Sequence, residues 1–532
     1  MKALKLVFAT ALIGPFFVGC GSARVGGISL EKVPHPYYKT APITEKQQNH
    51  WGHLDLLLDT IPGMSVDRAY KEVLKTEQGT TTLVAVIDSG MDIDHEDLND
   101  VIWTNPNEIP NNGIDDDNNG YVDDIHGWNF LGNTYNEQLE YTRILAKGDT
   151  SHPQYAEAEA KYEEEFRKYS NLKDTYDKIM AQLVTADYYL STNLKKSTYS
   201  KADIDSISTN NQSLLTAIEI VKYYTSGYDS LSDFKEAIKN DLVLINDHLD
   251  YHLNKDFQGR TTGDNPDDLS DVGYGDNNVN PHDPEETHGT HVAGIIAAER
   301  NNQIGINGVA NNVKLIAIRS TPNGDEYDKD VALAIRYAVD NGAKIINGSF
   351  GKYFATHSEW VTDAIAYAAQ HDVLLVISAG NEAYDLDKTA SFPSDVVNGK
   401  EISDNFLVVG ALNPTYGTKV VADYSNYGQQ NVDVFAPGSE IYSTIPNNAY
   451  KSEDGTSMAA PAVAGVAALI RSQYPHLRAA QVKEIIMKSG LSLPTEVQVG
   501  EDPTHIKAFQ KLSKSGKIVN AYNALLMASK MK

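Results

Sequence analysis

The sequence predicts an α/β domain of three layers, with helices on both faces of a mostly parallel sheet and an α-helical hairpin inserted into it. Three observations carry this. The continuous apolar, β-branched run Thr82-Leu-Val-Ala-Val-Ile-Asp88 stops at Asp-Ser-Gly, as a strand buried on both faces and closed by a turn should. From His288 onward, short apolar runs alternate with longer segments of helical period, which implies parallel strands joined by crossover helices. Between these parts, residues from about 131 to 270 are rich in Tyr, Lys, Glu, Asp, Asn and Ser, a composition unlike that of the flanks.

Taken in order, the chain opens with Lys2 and Lys5 before an apolar run from Leu6 to Val18 that Gly14 and Pro15 interrupt. A bilayer-spanning helix needs roughly 20 apolar residues, so residues 1–19 read instead as a secretory signal. Residues 20–64 form an extension in which Pro34, Pro36, Pro42 and Pro62 discourage long helices. The α/β domain then occupies 65–130 and 271–532, beginning with a helix from Ser65 to Lys75. After the insertion, strands are expected at Val313 to Ile318, Lys344 to Asn347, Val373 to Ser378 and Phe406 to Val409. Helices are expected at Val331 to Asn341, Ser358 to His371 and Met458 to Tyr474.

The block 131–270 is read as the insertion. Apolar and aromatic residues recur every three or four positions from Tyr155 through Tyr162, Tyr169 and Ile179 to Leu190. Only Glu165 breaks the stripe, so one long helix with a coiled-coil-like seam is expected. A second stripe runs from Leu231 through Phe234 and Ile238 to Leu249, with Ser230 and Asp233 placed as a capping box. Leu214, Ile218 and Val221 predict a shorter helix between them. The two stripes can bury each other as an antiparallel hairpin, whose ends connect to the Asp88 and His288 segments and so belong on the rim of whatever site those form.

Composition narrows the function. The 532 residues are 41% hydrophobic and 22% charged, enough apolar surface for a substantial core. A formal charge of −27 argues against a nucleic-acid partner, since displacing the counterions of a polyanion requires basic surface. The one cysteine, Cys20, excludes an intrachain disulfide and a cysteine-based zinc site.

Three short segments concentrate chemistry: Val86-Ile-Asp88-Ser-Gly90 at a strand end, His288-Gly-Thr-His291-Val-Ala-Gly294 opening a helix, and Gly455-Thr-Ser457-Met-Ala-Ala-Pro461 opening another. Hydrolysis of a peptide by serine needs a nucleophile, a base to take its proton and an acid to orient that base. Each segment also has a plain alternative. Asp-Ser-Gly is a common turn, Gly-Thr-Ser a common helix cap, and the two histidines lack the Glu of a His-Glu-x-x-His metal site.

Taken together, in this order, the motifs resemble those of the subtilisin-like serine proteases, over roughly residues 65–130 and 280–532. The resemblance implies that Asp88 orients His288, that His288 is general base and then general acid, and that Ser457 is the nucleophile of an endopeptidase acting on proteins or peptides. His291 is then a structural neighbour. Ser378-Ala-Gly-Asn381 maps Asn381 to the oxyanion-hole asparagine, and Ser349-Phe350-Gly351 resembles the edge strand that pairs with an extended substrate. Phe17-Val18-Gly19-Cys20 resembles a bacterial lipobox, with Phe17 where leucine is usual; it implies an exported protein lipid-anchored to the cell envelope through Cys20. About 60 residues (82 − 20 = 62) separate Cys20 from the Asp88 strand, which predicts no large prodomain. The alternatives from other classes are a catalytically silent scaffold of the same fold and an adhesion module carried by the insertion.

A fourth constellation, Asp115-Asp-Asp117-Asn-Asn119-Gly120-Tyr121-Val-Asp123, offers oxygen ligands at alternate positions with glycine at the sixth, which suits calcium. It departs from an EF-hand loop at the twelfth position, where His126 stands in place of a bidentate Glu, and a solvated Asx-rich loop is the alternative. Asp276, Asp283 and Glu285 offer further acid without a defining pattern.

Overall fold

Nine strands of one sheet set the frame. Across it they run Leu491–Ser492, Lys517–Ile518, Val434–Pro437, Phe406–Leu412, Leu374–Ser378, Ile345–Gly348, Thr82–Asp88, Val313–Arg319 and Gly127–Asn129. All neighbours are parallel except the outermost Leu491–Ser492 pair. The computed structural model describes residues 42–75 and 79–531, together with paired two-residue strands at Arg24–Val25 and Ile28–Ser29. The expected signal at 1–19 and Cys20 lie outside the described residues. Among the described residues no helix is long and apolar enough to cross a membrane.

The three layers follow from the period-two geometry of the buried strands. Val84 and Val86 face one core, shared with Val292 of the helix His288–Ala297 and Val463 of the helix Thr456–Gln473. Ala85 and Ile87 face the other, shared with Ile335 of Asp328–Asp340 and Val361 of Ser358–Gln370. Each face of the strand therefore buries apolar surface, at about 25 cal/mol per Å². The chain steps to opposite sides of the Thr82–Asp88 strand, toward Val313–Arg319 and toward Ile345–Gly348. Such a switch point opens a crevice at the carboxyl ends of the strands, and Asp88 is the last residue of its strand.

The extension is not a free linker where it is described. Trp51, Leu56 and Ile61 join a third core with Phe435 and Phe509, and Trp51 Nε1 donates to Ser439 O at 2.9 Å. The prolines shorten its helices to Glu45–Gln48, Trp51–His53 and Leu56–Asp59, yet the apolar residues among them still find a core.

The insertion goes out along one helix of 40 residues, Tyr155–Leu194, and returns in two pieces, Gln212–Tyr224 and Leu231–Asp247. Leu183, Ala186 and Leu190 on the outgoing limb bury against Leu214, Val221 and Phe234 on the returning one. Ser230 accepts from the Asp233 N–H at 3.1 Å, capping the second return helix. At its root, Ala158, Tyr162 and Tyr169 pack with Leu253 and with Tyr353 and Phe354 of the α/β domain.

Buried ion pairs fasten that root. On the outgoing side, the helix Glu140–Lys147 places Arg143 against Glu140 and the carbonyls of Gln138 and Asp325, at 2.9 and 2.7 Å. Lys352 bridges Glu140 and Asp328 at 3.1 and 2.9 Å. On the returning side, Arg260 grips Asp264 and Asp330 through four contacts of 2.8 Å. An isolated buried charge is strongly unfavourable, so these pairs hold only while both partners stay in place.

Candidate active site

Asp88 ends the central strand, 2% exposed, where its backbone turns out of the sheet. Its Oδ1 accepts from the Ser89 N–H at 2.8 Å and meets His288 Nδ1 at 2.7 Å, across 200 positions of sequence. His288 opens its helix, and the next residue has to be glycine: a Cβ at Gly289 would lie 2.0 Å from Gly90 O. That close approach seats the helix start on the Asp88 turn. The His288 side chain keeps about a third of its surface exposed, and its Nε2 has no protein partner among the described residues. Burial alone would lower the imidazole pKa, but the charge and hydrogen bond of Asp88, with the charge of Glu453, outweigh it and raise it above the ordinary 6.5. His291 is fully buried one turn deeper, with Nε2 on Lys451 O at 3.1 Å, which is a structural position.

Ser457 is the second residue of the helix Thr456–Gln473, in the first turn, where its N–H has no intrahelical acceptor. Pro461 has no N–H to give the Ser457 carbonyl four residues earlier. Ser349 fills that vacancy: its Oγ donates to Ser457 O at 2.8 Å, while Ser457 Oγ donates to Ser349 O at 3.2 Å. Ser457 Oγ is thus directed to Ser349 rather than to His288, and reaching His288 takes a rotation of the Ser457 side chain.

Asn381 follows the strand Leu374–Ser378. Its Oδ1 accepts from both the N–H and the Oγ1 of Thr456 at 2.9 Å, which turns its NH₂ to the open side. Gly380 before it has φ +99°, and a Cβ there would lie 2.4 Å from Asn426 Nδ2. A cavity of about 170 Å³ lies beside these groups, bordered by Phe350, Gly351, Gly380, Asn381 and Ser457. Of the expected substrate strand, Gly351 is exposed, Phe350 walls the cavity and Ser349 is buried beneath Ser457. Lys352 and Phe392 exchange backbone bonds of 2.9 and 2.8 Å, which fix the strand from behind.

Arg319 braces the whole arrangement and was not singled out by the sequence. It lies in register with Asp88 and is fully buried. Its guanidinium donates to Ser89 O at 3.0 Å, Gly132 O at 2.9 Å and Thr134 O at 2.7 Å, and pairs with the Glu286 carboxylate two residues before His288.

In the acidic loop, the carboxylates of Asp115 and Asp117 come together with a residue the spacing could not reveal, Glu108; their oxygens all lie within 4.8 Å. Glu108 is 7% exposed, and its Oε2 is buried without a hydrogen-bond partner. Asp123 is not in that cluster: its carboxylate accepts from the N–H groups of Asn112 and Gly113 at 3.0 and 2.9 Å and closes the loop. Asn119 Oδ1 accepts from the Tyr121 N–H at 2.8 Å, and the Tyr121 ring packs edge-on against Trp128 and Tyr337.

Residues 79–510 match a family model described as the subtilase family. The chain is 38% identical over 240 residues to a thermophilic serine proteinase of Bacillus sp. strain AK1, covering 45% of this chain and 54% of that protein. It is 33% identical over 276 residues to subtilisin-like protease 1 of Plasmodium falciparum isolate 3D7, covering 47% of this chain and 38% of that one. With subtilisin DY of Bacillus licheniformis the identity is 35% over 223 residues, 42% of this chain and 76% of that one. The chain spans about half or less of the length of the first two relatives.

The His288 shift is directly measurable. A pKa raised by Asp88 means that the protonated ring contributes stability fully below 6.5 and loses it as pH rises through the folded value. By NMR, His288 should titrate above 6.5 in the parent protein and at a lower pH in Asp88→Asn, where burial is left as the main influence. An unshifted titration in Asp88→Asn would remove Asp88 as the cause.

Proposed function

The chain belongs to the subtilase family, and on that premise we propose that it is a serine endopeptidase working through Asp88, His288 and Ser457. The observation that carries this reading is the 2.7 Å contact between Asp88 Oδ1 and His288 Nδ1. It fixes the ring so that Nε2 is the nitrogen left for the Ser457 proton. As Ser457 Oγ attacks the scissile carbonyl, His288 takes that proton, and the buried Asp88 carboxylate stabilises the imidazolium. The oxygen of the tetrahedral intermediate is held by the Ser457 N–H and the Asn381 NH₂. Collapse expels the amine with a proton from His288 and leaves an acyl-enzyme, which water then hydrolyses by the same steps in reverse order.

The acidic loop fits calcium as a structural ion. Glu108, whose Oε2 is buried without a partner, clusters with two further carboxylates, a donor set that a hard cation satisfies. Glu108, Asp115 and Asp117 would hold it, with Asp123 keeping the loop closed. Export and lipid anchoring at Cys20 rest on the sequence of the N-terminus.

Asn381→Ala should lower kcat by about 10²–10³-fold, ~2.7–4 kcal/mol, with KM little changed, because the bond matters in the transition state. A fluorophosphonate probe should label the parent protein at Ser457 and leave Ser457→Ala unlabelled; folded parent protein that resists the probe would favour a silent scaffold. Calcium should raise the melting temperature of the parent and much less that of Glu108→Gln; equal response in both would dismiss the site. Cys20→Ser should move the protein out of the membrane fraction in its host, and unchanged partitioning would contradict the anchor.

A further inference from the structure

Beyond the pocket at Ser457 lies a second cavity of about 650 Å³, and the insertion builds its outer wall. Gly351, Lys352, Tyr353 and Glu382 border both spaces, so the two adjoin. Across from them stand Glu157, Lys161, Glu164, Glu165 and Tyr169 of the long helix. Glu165, the residue that breaks the apolar stripe of that helix, faces this cavity rather than the seam.

The lining has a consistent chemistry. Aromatic rings form the floor: Tyr141 and Phe354 meet edge-on with centroids 5.5 Å apart, and Tyr353 and Tyr384 do so at 5.2 Å. Acid surrounds them, from Glu157, Glu164, Glu165, Asp325 and Glu382. Two lysines oppose this charge: Lys352 is engaged away from the cavity, and Lys161 offsets part of the acid by pairing with Glu165 and, at 3.9 Å, with Glu164. Lys352 is directed inward to Glu140 and Asp328, and Lys161 sits 2.8 Å from Glu165, which Lys168 also approaches. Glu157 has no ion-pair partner among the described residues.

Substrate geometry brings a side chain here. His288 protonates the departing amine, so the leaving half of the substrate lies on its side. Neither cavity is lined by His288 or its sequence neighbours, and the chain lying along Gly351 to Tyr353 is therefore the acyl half. Ser349 touches the nucleophile, and four residues of extended chain on to Tyr353 reach about 13 Å at roughly 3.3 Å each. An antiparallel substrate strand would therefore meet the cavity three to five residues before the scissile bond.

We infer that this cavity is a substrate subsite made by the insertion, taking a lysine or arginine side chain three to five residues upstream of the cleaved bond. The aliphatic stem of such a side chain lies on the tyrosine rings, and its cation reaches the ring faces and the carboxylates together. The inference rests on the endopeptidase reading and deepens it.

The test uses the full chain and fluorogenic peptides that share the two residues before the cleaved bond. One set carries arginine or glutamate in turn at the third, fourth and fifth upstream residues, and a short reference peptide stops at the second. The parent should cleave the best arginine peptide with kcat/KM about tenfold or more above its glutamate counterpart. Glu157→Gln with Glu164→Gln, both on the exposed helix face, should bring that ratio toward one while the short peptide is cleaved as before. Glu164→Lys should lower it further. A parent ratio near one, or an undiminished ratio in the variants, would overturn the subsite. Failure of the parent to cleave even the short peptide would instead strike the endopeptidase reading, and the subsite with it.

Discussion

Arg319 ends its strand beside Asp88 with no exposed surface, and a guanidinium in that position must find acceptors for five N–H groups. It finds them in segments far apart in sequence. Ser89 O belongs to the turn that aims Asp88, Glu286 to the approach to His288, and Gly132 O and Thr134 O to the start of the insertion. The cost of an unpaired buried charge, several kcal/mol, makes this an all-or-none arrangement. Asp88, His288 and the root of the insertion are therefore positioned by one side chain. The 200-residue excursion between Asp88 and His288 is compatible with their 2.7 Å contact because both of its ends are tied to the same cation.

A second set of buried pairs carries that order outward. Arg143 and Lys352 join the first helix of the insertion to the segment that runs on from Ser349, and Arg260 with Asp330 closes the returning end. The insertion is thus built against the Gly351 to Phe354 segment rather than hung from it by flexible linkers. Its distal half has a core of its own around Leu183 and Val221, while its proximal half shares Tyr353 and Phe354 with the α/β domain. Along the buried stripe of the long helix, Tyr155, Tyr162 and Tyr169 therefore pack at the root, and Leu183, Ala186 and Leu190 pack against the other helices of the insertion.

Much of this was legible in the sequence, for definite reasons. Strands buried on both faces must be apolar and β-branched, so Thr82–Asp88 and its neighbours stood out with their ends placed to within a few residues. The motifs around Asp88, His288 and Ser457 are local in sequence, since each combines a polar side chain with the glycine or turn that seats it. What was hidden depends on long-range contact. Glu108 lies outside the loop whose spacing suggests calcium, and only folding brings its carboxylate back to Asp115 and Asp117. In the sequence Ser349 reads as part of a substrate-binding edge, and nothing there shows that its Oγ also bonds the Ser457 carbonyl that Pro461 leaves without a donor. Trp51 sits in a proline-rich stretch that argues against regular structure, yet apolar burial needs no long helix to dock it.

The most direct test of this account is the rate at which a fluorophosphonate probe labels Ser457 in Arg319→Lys, alongside its thermal unfolding. Lysine keeps the charge opposite Glu286 but cannot serve Ser89, Gly132 and Thr134 together. The account predicts a protein that still folds, with a lower melting temperature and labelling slowed by at least about tenfold, as expected when catalytic groups lose their alignment. Labelling at the parental rate with unchanged stability would show that Asp88, His288 and the insertion are held by other means.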